Sequence, residues 1–362
     1  MKRYGLIGCG MMGREHIRNI QLLADTEISA IFEPDADMRA EAKALAPQAV
    51  FPDSLDALLA LKHLDALVIV SPNHCHADQL RQIASQVSLP ILVEKPLYTD
   101  PKDAADMAQF QTDYSAPIWV AMEYRYMPPI AALIDEATIV TGGVQMLSIT
   151  EHRFPFLEKV GDWNRFNRNS GGTFVEKCCH FFDLMRHILQ AEPVRVSASA
   201  GQAHNHLDER YDGETPDILD HGYVLIDFDG GQRAMLELCM FAEGARFQEY
   251  VSAIGPKGKI ACQVPGVARF WSGPDAQPRP ELIISPRDKS GVVTRYCDVP
   301  EDILEAGDHN GSTFYQHQRF LQMITEGGVP DVTIHDGIQA VKIGQAAQIA
   351  AAEARTVSFD EL

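Results

Sequence analysis

Three groups of residues stand at spacings that could do chemistry. The first is Gly8-Cys9-Gly10-Met11-Met12-Gly13, a GxGxxG run set directly after an apolar stretch and directly before a helical pattern. Glycines so spaced let the chain turn tightly, let backbone N–H groups approach a pyrophosphate, and let helix and strand pack closely, with the helix N-terminus holding the negative charge. Glu33 stands twenty residues past Gly13, at the end of the next apolar run. A carboxylate there would accept hydrogen bonds from the adenine-side ribose hydroxyls. It would also repel a 2′-phosphate by about 1 to 4 kcal/mol at a few Å. The sequence therefore favours NAD over NADP, unless Arg14 or Arg39 reaches that phosphate.

The second group is Lys95, between Glu94 and Pro96 at the end of a short apolar run. The proline restricts the backbone of the residue that must aim its amine, which makes Lys95 a candidate active-site cation; a surface lysine beside Glu94 is the alternative. The third is Glu176, His180, Asp183 and His187, which fall within roughly 60° on one face of a helix read over 172–189. A carboxylate one turn away can orient an imidazole and raise its pKa, suiting it to proton transfer near neutrality. His180 is the acid/base candidate, and a solvated polar face is the competing reading. Cys178-Cys179-His180 and His74-Cys75-His76 raise the question of a metal. Adjacent residues on a helix point about 100° apart and do not share one ion readily, so no metal is expected.

The elements that must hold these groups follow from periodicity. Residues 3–7, 27–32, 66–70, 91–94 and 118–122 read as short strands, separated by helical patterns over 12–23, 36–46, 76–86 and 101–112. Apolar strands alternating with helices imply a parallel sheet covered on both faces, a doubly wound α/β domain over residues 1–122. In such a sheet ligands bind at the carboxyl ends of the strands, where Ser71-Pro72-Asn73-His74-Cys75-His76, Glu94-Lys95-Pro96 and Glu123-Tyr124-Arg125-Tyr126 stand. From 123 to 362 the pattern changes to an α+β domain. The helix over 172–189 precedes strand-like runs at 194–200, 223–228, 233–240, 248–254 and 259–263, joined by tight turns that imply a mainly antiparallel sheet. Helical patterns around 312–325 and 337–353 close the chain, and the Pro- and Gly-rich segment 264–300 is left unassigned.

Composition bounds the partners. The 362 residues are 46% hydrophobic and carry a formal net charge of −19, which repels nucleic-acid backbones and anionic lipid. Neither nucleic acid nor membrane is an expected partner. With no run of about 18 apolar residues and no leader-like N-terminus, a cytoplasmic protein is expected. Seven scattered cysteines without CxxC spacing read as buried small hydrophobes.

Together these elements resemble the Gfo/Idh/MocA family of sugar and inositol oxidoreductases. The residues that carry the resemblance are the GxGxxG at Gly8 to Gly13, Ser71 to His76, Glu94-Lys95-Pro96, Arg125-x-x-Pro128, Gly171-Gly172 and His180-x-x-Asp183, in that order along nearly the whole chain. The resemblance implies a Rossmann domain joined to a large, open-faced, mainly antiparallel sheet, with nicotinamide chemistry between them. It matches Lys95 and His180 to the family's catalytic pair and assigns Glu176, where many members have Asp, to orienting His180 or binding substrate. It puts Ser71, Asn73, His76 and Glu94 with Gly8, Gly10, Met11, Met12, Gly13, Glu33 and Lys95 at the cofactor. Arg125 and Asp183 join Lys95, Glu176 and His180 along the substrate cleft, and Asp162 and Trp163 are loop candidates for contacting the substrate. Lys177-Cys178-Cys179 lies outside the common pattern and marks a subgroup with its own substrate.

The implied reaction is reversible oxidation of a ring secondary alcohol of a sugar, inositol or related polyol by hydride transfer to NAD. His180 takes the hydroxyl proton and Lys95 stabilises the oxygen. Glu123, His152, Asn164, Arg165, His309 and Tyr315 are further specificity candidates. Two other classes remain: a glycosidase that oxidises and re-reduces its sugar with tightly held NAD, and a non-catalytic dinucleotide-binding regulator. An open sheet face needs cover, so a homodimer or homotetramer is expected.

Overall fold

The computed structural model describes residues 1–271 and 277–362. The N-terminal half alternates strands and helices: β1 (Lys2–Ile7), α1 (Met11–Gln21), β2 (Thr26–Phe32), α2 (Ala36–Leu45), α3 (Leu55–Leu59), β3 (Ala66–Ile69), α4 (His76–Ala84), β4 (Ile91–Val93), α5 (Ala104–Asp113) and β5 (Ile118–Val120). The five strands pair in parallel in the order β2-β1-β3-β4-β5. Residues of β3, β4 and β5 are buried throughout, which is why these runs are apolar without alternation. The carboxyl ends of β1, β3, β4 and β5 deliver the glycine run, Ser71, Lys95 and Glu123 to one edge.

The remaining elements are α6 (Pro128–Thr141), β6 (Met146–His152), α7 (Asn167–Ser170), α8 (Thr173–Glu176), α9 (Cys179–Leu189), β7 (Pro193–Gly201), β8 (His221–Phe228), β9 (Arg233–Cys239), β10 (Glu249–Gly255) and β11 (Gly258–Val264). After them come β12 (Glu281–Pro286), β13 (Val293–Tyr296), α10 (Glu301–Ala306), α11 (Ser312–Glu326), α12 (Ile334–Glu353) and β14 (Val357–Ser358). Among the described residues nine strands pair in the order β13-β12-β11-β10-β6-β9-β8-β7-β14, all antiparallel except β6 with β9. The sheet is mainly antiparallel, as expected, and mixed through that one parallel pairing. The unassigned segment 264–300 supplies β12 and β13, and its residues 272–276 lie outside the described residues.

Alternating burial in β6, β8 and β9 shows one face packed under α6, α9 and α12 and the other open to solvent. α12 joins the halves. Its N-terminal turns, Ile334, Ile338 and Val341, pack in the dinucleotide-domain core, and its later turns, Ile343, Ala347 and Ala350, pack in the sheet-domain core. Gly344 permits the approach, since a Cβ there would lie 2.7 Å from the Phe174 carbonyl oxygen. Thr333 and Asp336 form a capping box at its start.

The helix expected over 172–189 is broken. α8 ends at Glu176, and α9 starts at Cys179, with Lys177 and Cys178 between them. Neither piece has a solvated face, because every residue of α8 and every residue of α9 except His187 is buried. All seven cysteines are free thiols. Among the described residues no helix is long and apolar enough to cross a membrane, and no three His, Cys, Asp or Glu side chains cluster to hold a metal.

Candidate active site

The glycine run forms a cradle. Gly8 has φ +93°, and a Cβ there would lie 2.7 Å from the Ser71 nitrogen and the Val70 oxygen, so a side chain would collide with backbone. Gly10 caps α1 with no side-chain hydrogen bond, and space is open where its Cβ would be. The first N–H groups of α1 thus face a cleft of about 570 Å³, large enough for a small-molecule ligand. Gly8, Gly10, Met11, Met12, Glu33, Ser71, Asn73, Glu94, Lys95 and Glu176 line it. Glu33 is fixed in place: its Oε2 accepts the Cys9 N–H at 2.5 Å and its Oε1 the Asp35 N–H at 2.9 Å. Arg14 pairs with Glu41 at 2.8 Å, and Arg39 donates to the Phe51 and Pro52 carbonyls and to Asp53. Neither guanidinium is free. The glycine cradle and the anchored carboxylate fit an adenine dinucleotide.

Beside this cleft a smaller cavity opens over α8 and α9, walled by Lys95, Lys177, Glu176, His180, Tyr124 and His309, with Met11 and Met12 shared between the two. Lys95 Nζ donates to the Glu176 carbonyl at 2.9 Å, an acceptor that the break after α8 leaves free. The Lys95–Pro96 peptide is cis. His180 stacks on Tyr124 with centroids 4.1 Å apart and planes within 7°. Its Nδ1 is buried and has no hydrogen-bond partner, as has Glu176 Oε2. The expected Glu176–His180 pairing is therefore absent. The imidazole pKa is not raised but driven well below its ordinary value, first by burial and then by Lys95, Lys177, His309 and Arg153. Burial also raises the Glu176 carboxyl, against the pull of Lys95 and Lys159.

A buried charge network supports the floor. Lys177 Nζ donates to the Tyr124 hydroxyl at 2.5 Å and pairs with Glu151 at 2.9 Å. Glu151 faces Glu249 across β6 and β10. Burial and the Glu151 charge push Glu249 up to about 7. On the far wall His309 pairs with Glu15 at 2.8 Å, and the Thr313 hydroxyl lies between the two carboxylates, 2.6 Å from Glu123 Oε2 and 2.9 Å from Glu15 Oε1. The two carboxylates Glu15 and Glu123 hold His309 up at about 9. Behind Lys95, Glu94 accepts from buried His16 at 3.0 Å, whose other nitrogen lies 2.6 Å from His317.

Several expected site residues stand elsewhere. Arg125 and Asp183 are a buried ion pair outside the cavity lining: Arg125 Nε and Nη2 donate to the two Asp183 oxygens at 2.6 and 2.5 Å. The pair is a clasp that ties the loop after β5 to α9. His76 is buried behind the cofactor cleft, its nitrogens 2.8 Å from the Pro96 oxygen and 3.0 Å from the Ser71 oxygen, so it braces two of the strand-end loops. Trp163 lines the cofactor cleft rather than the smaller cavity. Asp162 sits at φ +47° in a kink between Val160 and Arg165 and lines neither. Asn164 and Arg165 anchor that loop on the Leu157 carbonyl, His152 pairs with Glu237, and Tyr315 packs against Phe314. Of the specificity candidates, Glu123 and His309 line the cavity. Sequence reasoning passed over Tyr124, Arg153 and Lys159, which also line it. Tyr124 stood in a strand-end loop already singled out; Arg153 and Lys159 carried no local signal.

A parallel five-stranded sheet with a glycine cradle, beside a cavity that holds an unpaired imidazole and an amine, defines a two-domain nicotinamide-dinucleotide oxidoreductase. The chain belongs to the Gfo/Idh/MocA oxidoreductase family: residues 2–122 match its NAD-binding Rossmann fold and residues 137–359 its C-terminal alpha/beta domain. It is similar to an inositol 2-dehydrogenase of Rhizobium meliloti, 27% identical over 99% of both chains. An inositol 2-dehydrogenase of Leifsonia xyli is 37% identical over 75% of each. Levoglucosan dehydrogenase in complex with NADH and levoglucosan shares the fold, with a TM-score of 0.80 over 99% of both chains at 19% identity.

Proposed function

We propose that this chain is an NAD-preferring dehydrogenase that oxidises a secondary hydroxyl of a sugar, inositol or related polyol, with His180 as base and Lys95 as oxyanion stabiliser. The observation that carries the reading is the meeting of the Lys95 amine and the His180 imidazole in one cavity that shares Met11 and Met12 with the dinucleotide cradle. The inositol 2-dehydrogenases among its relatives support the substrate class. Nicotinamide, when bound, supplies the hydride acceptor. Burial keeps His180 neutral, so a ring nitrogen is ready to take the hydroxyl proton. Lys95 has one N–H committed to the Glu176 carbonyl and two left for the substrate oxygen. The Glu176 carboxyl, with Oε2 unpartnered, accepts a second hydroxyl. Anchored Glu33 and the two committed arginines support NAD over NADP. A second copy of the chain covers the open sheet face, where Met146, Tyr223, Leu225 and Ile254 are exposed apolar side chains.

Stopped-flow NADH formation over a polyol panel tests this. Lys95→Met and His180→Ala should each lose about 10²- to 10⁴-fold in kcat, with dinucleotide affinity nearly unchanged. Turnover within a factor of about ten of the parent in either variant would remove that residue from the chemistry. Because the imidazole pKa is lowered, kcat/KM should show no His180 limb between pH 8 and the ordinary imidazole value of 6.5. Glu33→Ser should erode the NAD preference, and sedimentation at micromolar concentration should read a dimer or tetramer.

A further inference from the structure

The cavity is richer in cations than the chemistry above requires. Lys95, Arg153, Lys159, Lys177 and His309 line it, against Glu123, Glu176 and Asp308, in a chain whose net charge is −19. Most of its acids already have partners. Asp308 pairs with Arg269, Glu123 accepts from Thr313 and faces His309 at 3.7 Å, and Glu151 below the floor is shared by Lys177 and Arg153 at 2.9 and 3.4 Å. Glu176 keeps an unpartnered Oε2, and among the described residues the Lys159 amine has no hydrogen bond or ion pair. Burial pushes that amine below the ordinary lysine range, with Lys95 and Arg153 adding to the push and Glu176 and Glu94 opposing it. Lys159 is part-buried on the cavity wall, so an amine without an anionic hydrogen-bond partner there can receive a ligand's counter-charge.

We propose that the substrate of this cavity is a sugar or polyol bearing one carboxylate, received by Lys159 with Arg153 beside it. This rests on the dehydrogenase reading of the same cavity and narrows its substrate class. Lys159 stands where the cavity and the cofactor cleft meet, lining both. The cofactor pyrophosphate has its own receptor in the N-terminal N–H groups of α1. On the cavity side Lys159 shares the wall with Phe154, Phe156 and Leu157, so a carboxylate there is partly screened from water and its pairing strengthened.

The test uses the full chain saturated with NAD and matched sets of glucose, glucuronate and glucose 6-phosphate, and galactose with galacturonate. Binding is read by calorimetry and turnover by NADH formation. The uronates should bind and react at least about tenfold better than their neutral parents, the scale of one hydrogen bond to a charged group. Lys159→Met should bring that ratio close to one, and Lys159→Arg should restore most of it. Equal or tighter binding of the neutral sugar or of the sugar phosphate overturns the proposal, whatever the turnover. So does a Lys159→Met variant whose uronate preference is intact while its KM for NAD rises, because the amine then serves the cofactor. Uronate binding without any NADH formation would instead overturn the dehydrogenase reading and leave the acidic ligand standing.

Discussion

Replacing Asp183 with Asn separates a clasp from a site. Asp183 is fully buried and accepts hydrogen bonds from Arg125 Nε and Nη2. Removing one partner of such a pair costs about 3 to 5 kcal/mol, since it strands a charge in surroundings of low dielectric. Two contacts favour the lower end: Asp336 Oδ1 lies 3.9 Å from the same guanidinium, and the Asp331 carbonyl accepts Nη1 at 2.9 Å. With about 2.1 cal/mol/K of unfolding entropy per residue, 362 residues give roughly 0.76 kcal/mol/K, so a loss of about 3 kcal/mol lowers Tm by about 4 °C. Calorimetry of Asp183→Asn should show that fall, with kcat of the folded enzyme near the parent value. The double variant Arg125→Met with Asp183→Leu should recover most of the loss, because well-packed apolar residues replace a buried pair at little cost. An Asp183→Asn protein that melts like the parent but does not turn over would refute the reasoning and return both residues to the site.

Two glycines should fail differently. Gly8→Ala meets backbone at 2.7 Å and should destabilise the fold by several kcal/mol, on the order of 2 to 4, read by urea melts. Gly10→Ala meets nothing and should leave Tm within about 1 °C of the parent, yet weaken NAD binding in calorimetry by crowding the cradle. The His309–Glu15 pair sets a pH window. His309 is raised from 6.5 to about 9, so its contribution is complete below pH 6.5 and lost as pH rises through 9. Glu15 is lowered from 4.5 to about 2, so its contribution is present above pH 4.5 and lost as pH falls through 2. His309→Gln should therefore cost more stability at pH 6 than at pH 9.5 in denaturant melts. An equal cost at both would show the ring to be neutral.

The dinucleotide half was legible because each of its strands is an uninterrupted apolar run bounded by turn residues, and parallel sheets bury both faces. β7 to β11 were legible as strand-like runs joined by tight turns, whereas β12 and β13 fall in the Pro- and Gly-rich segment that was left unassigned. β6 was not, because it lies between β9 and β10, pairs in parallel with β9, and turns Glu151 toward the core. A carboxylate on a covered face contradicts the local pattern, and Lys177, arriving from the break between α8 and α9, together with Arg153 makes it tolerable. The same break removed the pairing expected between Glu176 and His180. Periodicity assumed a continuous helix, whereas the two residues Lys177 and Cys178 interrupt it and the Glu176 carbonyl accepts from Lys95.

The sequence by itself determined the cradle, the carboxylate twenty residues beyond it, and the strand-end position of Lys95, since these depend on local backbone geometry and on neighbours a few residues away. Tertiary structure decided which charged residues meet. Arg125 and Asp183 are 58 positions apart and form the clasp, while Lys159 and Lys95 reach one cavity from different domains. Burial and the sign of neighbouring charge fix a side chain's protonation and partners, and both depend on what the folded chain packs around it rather than on its place in the sequence.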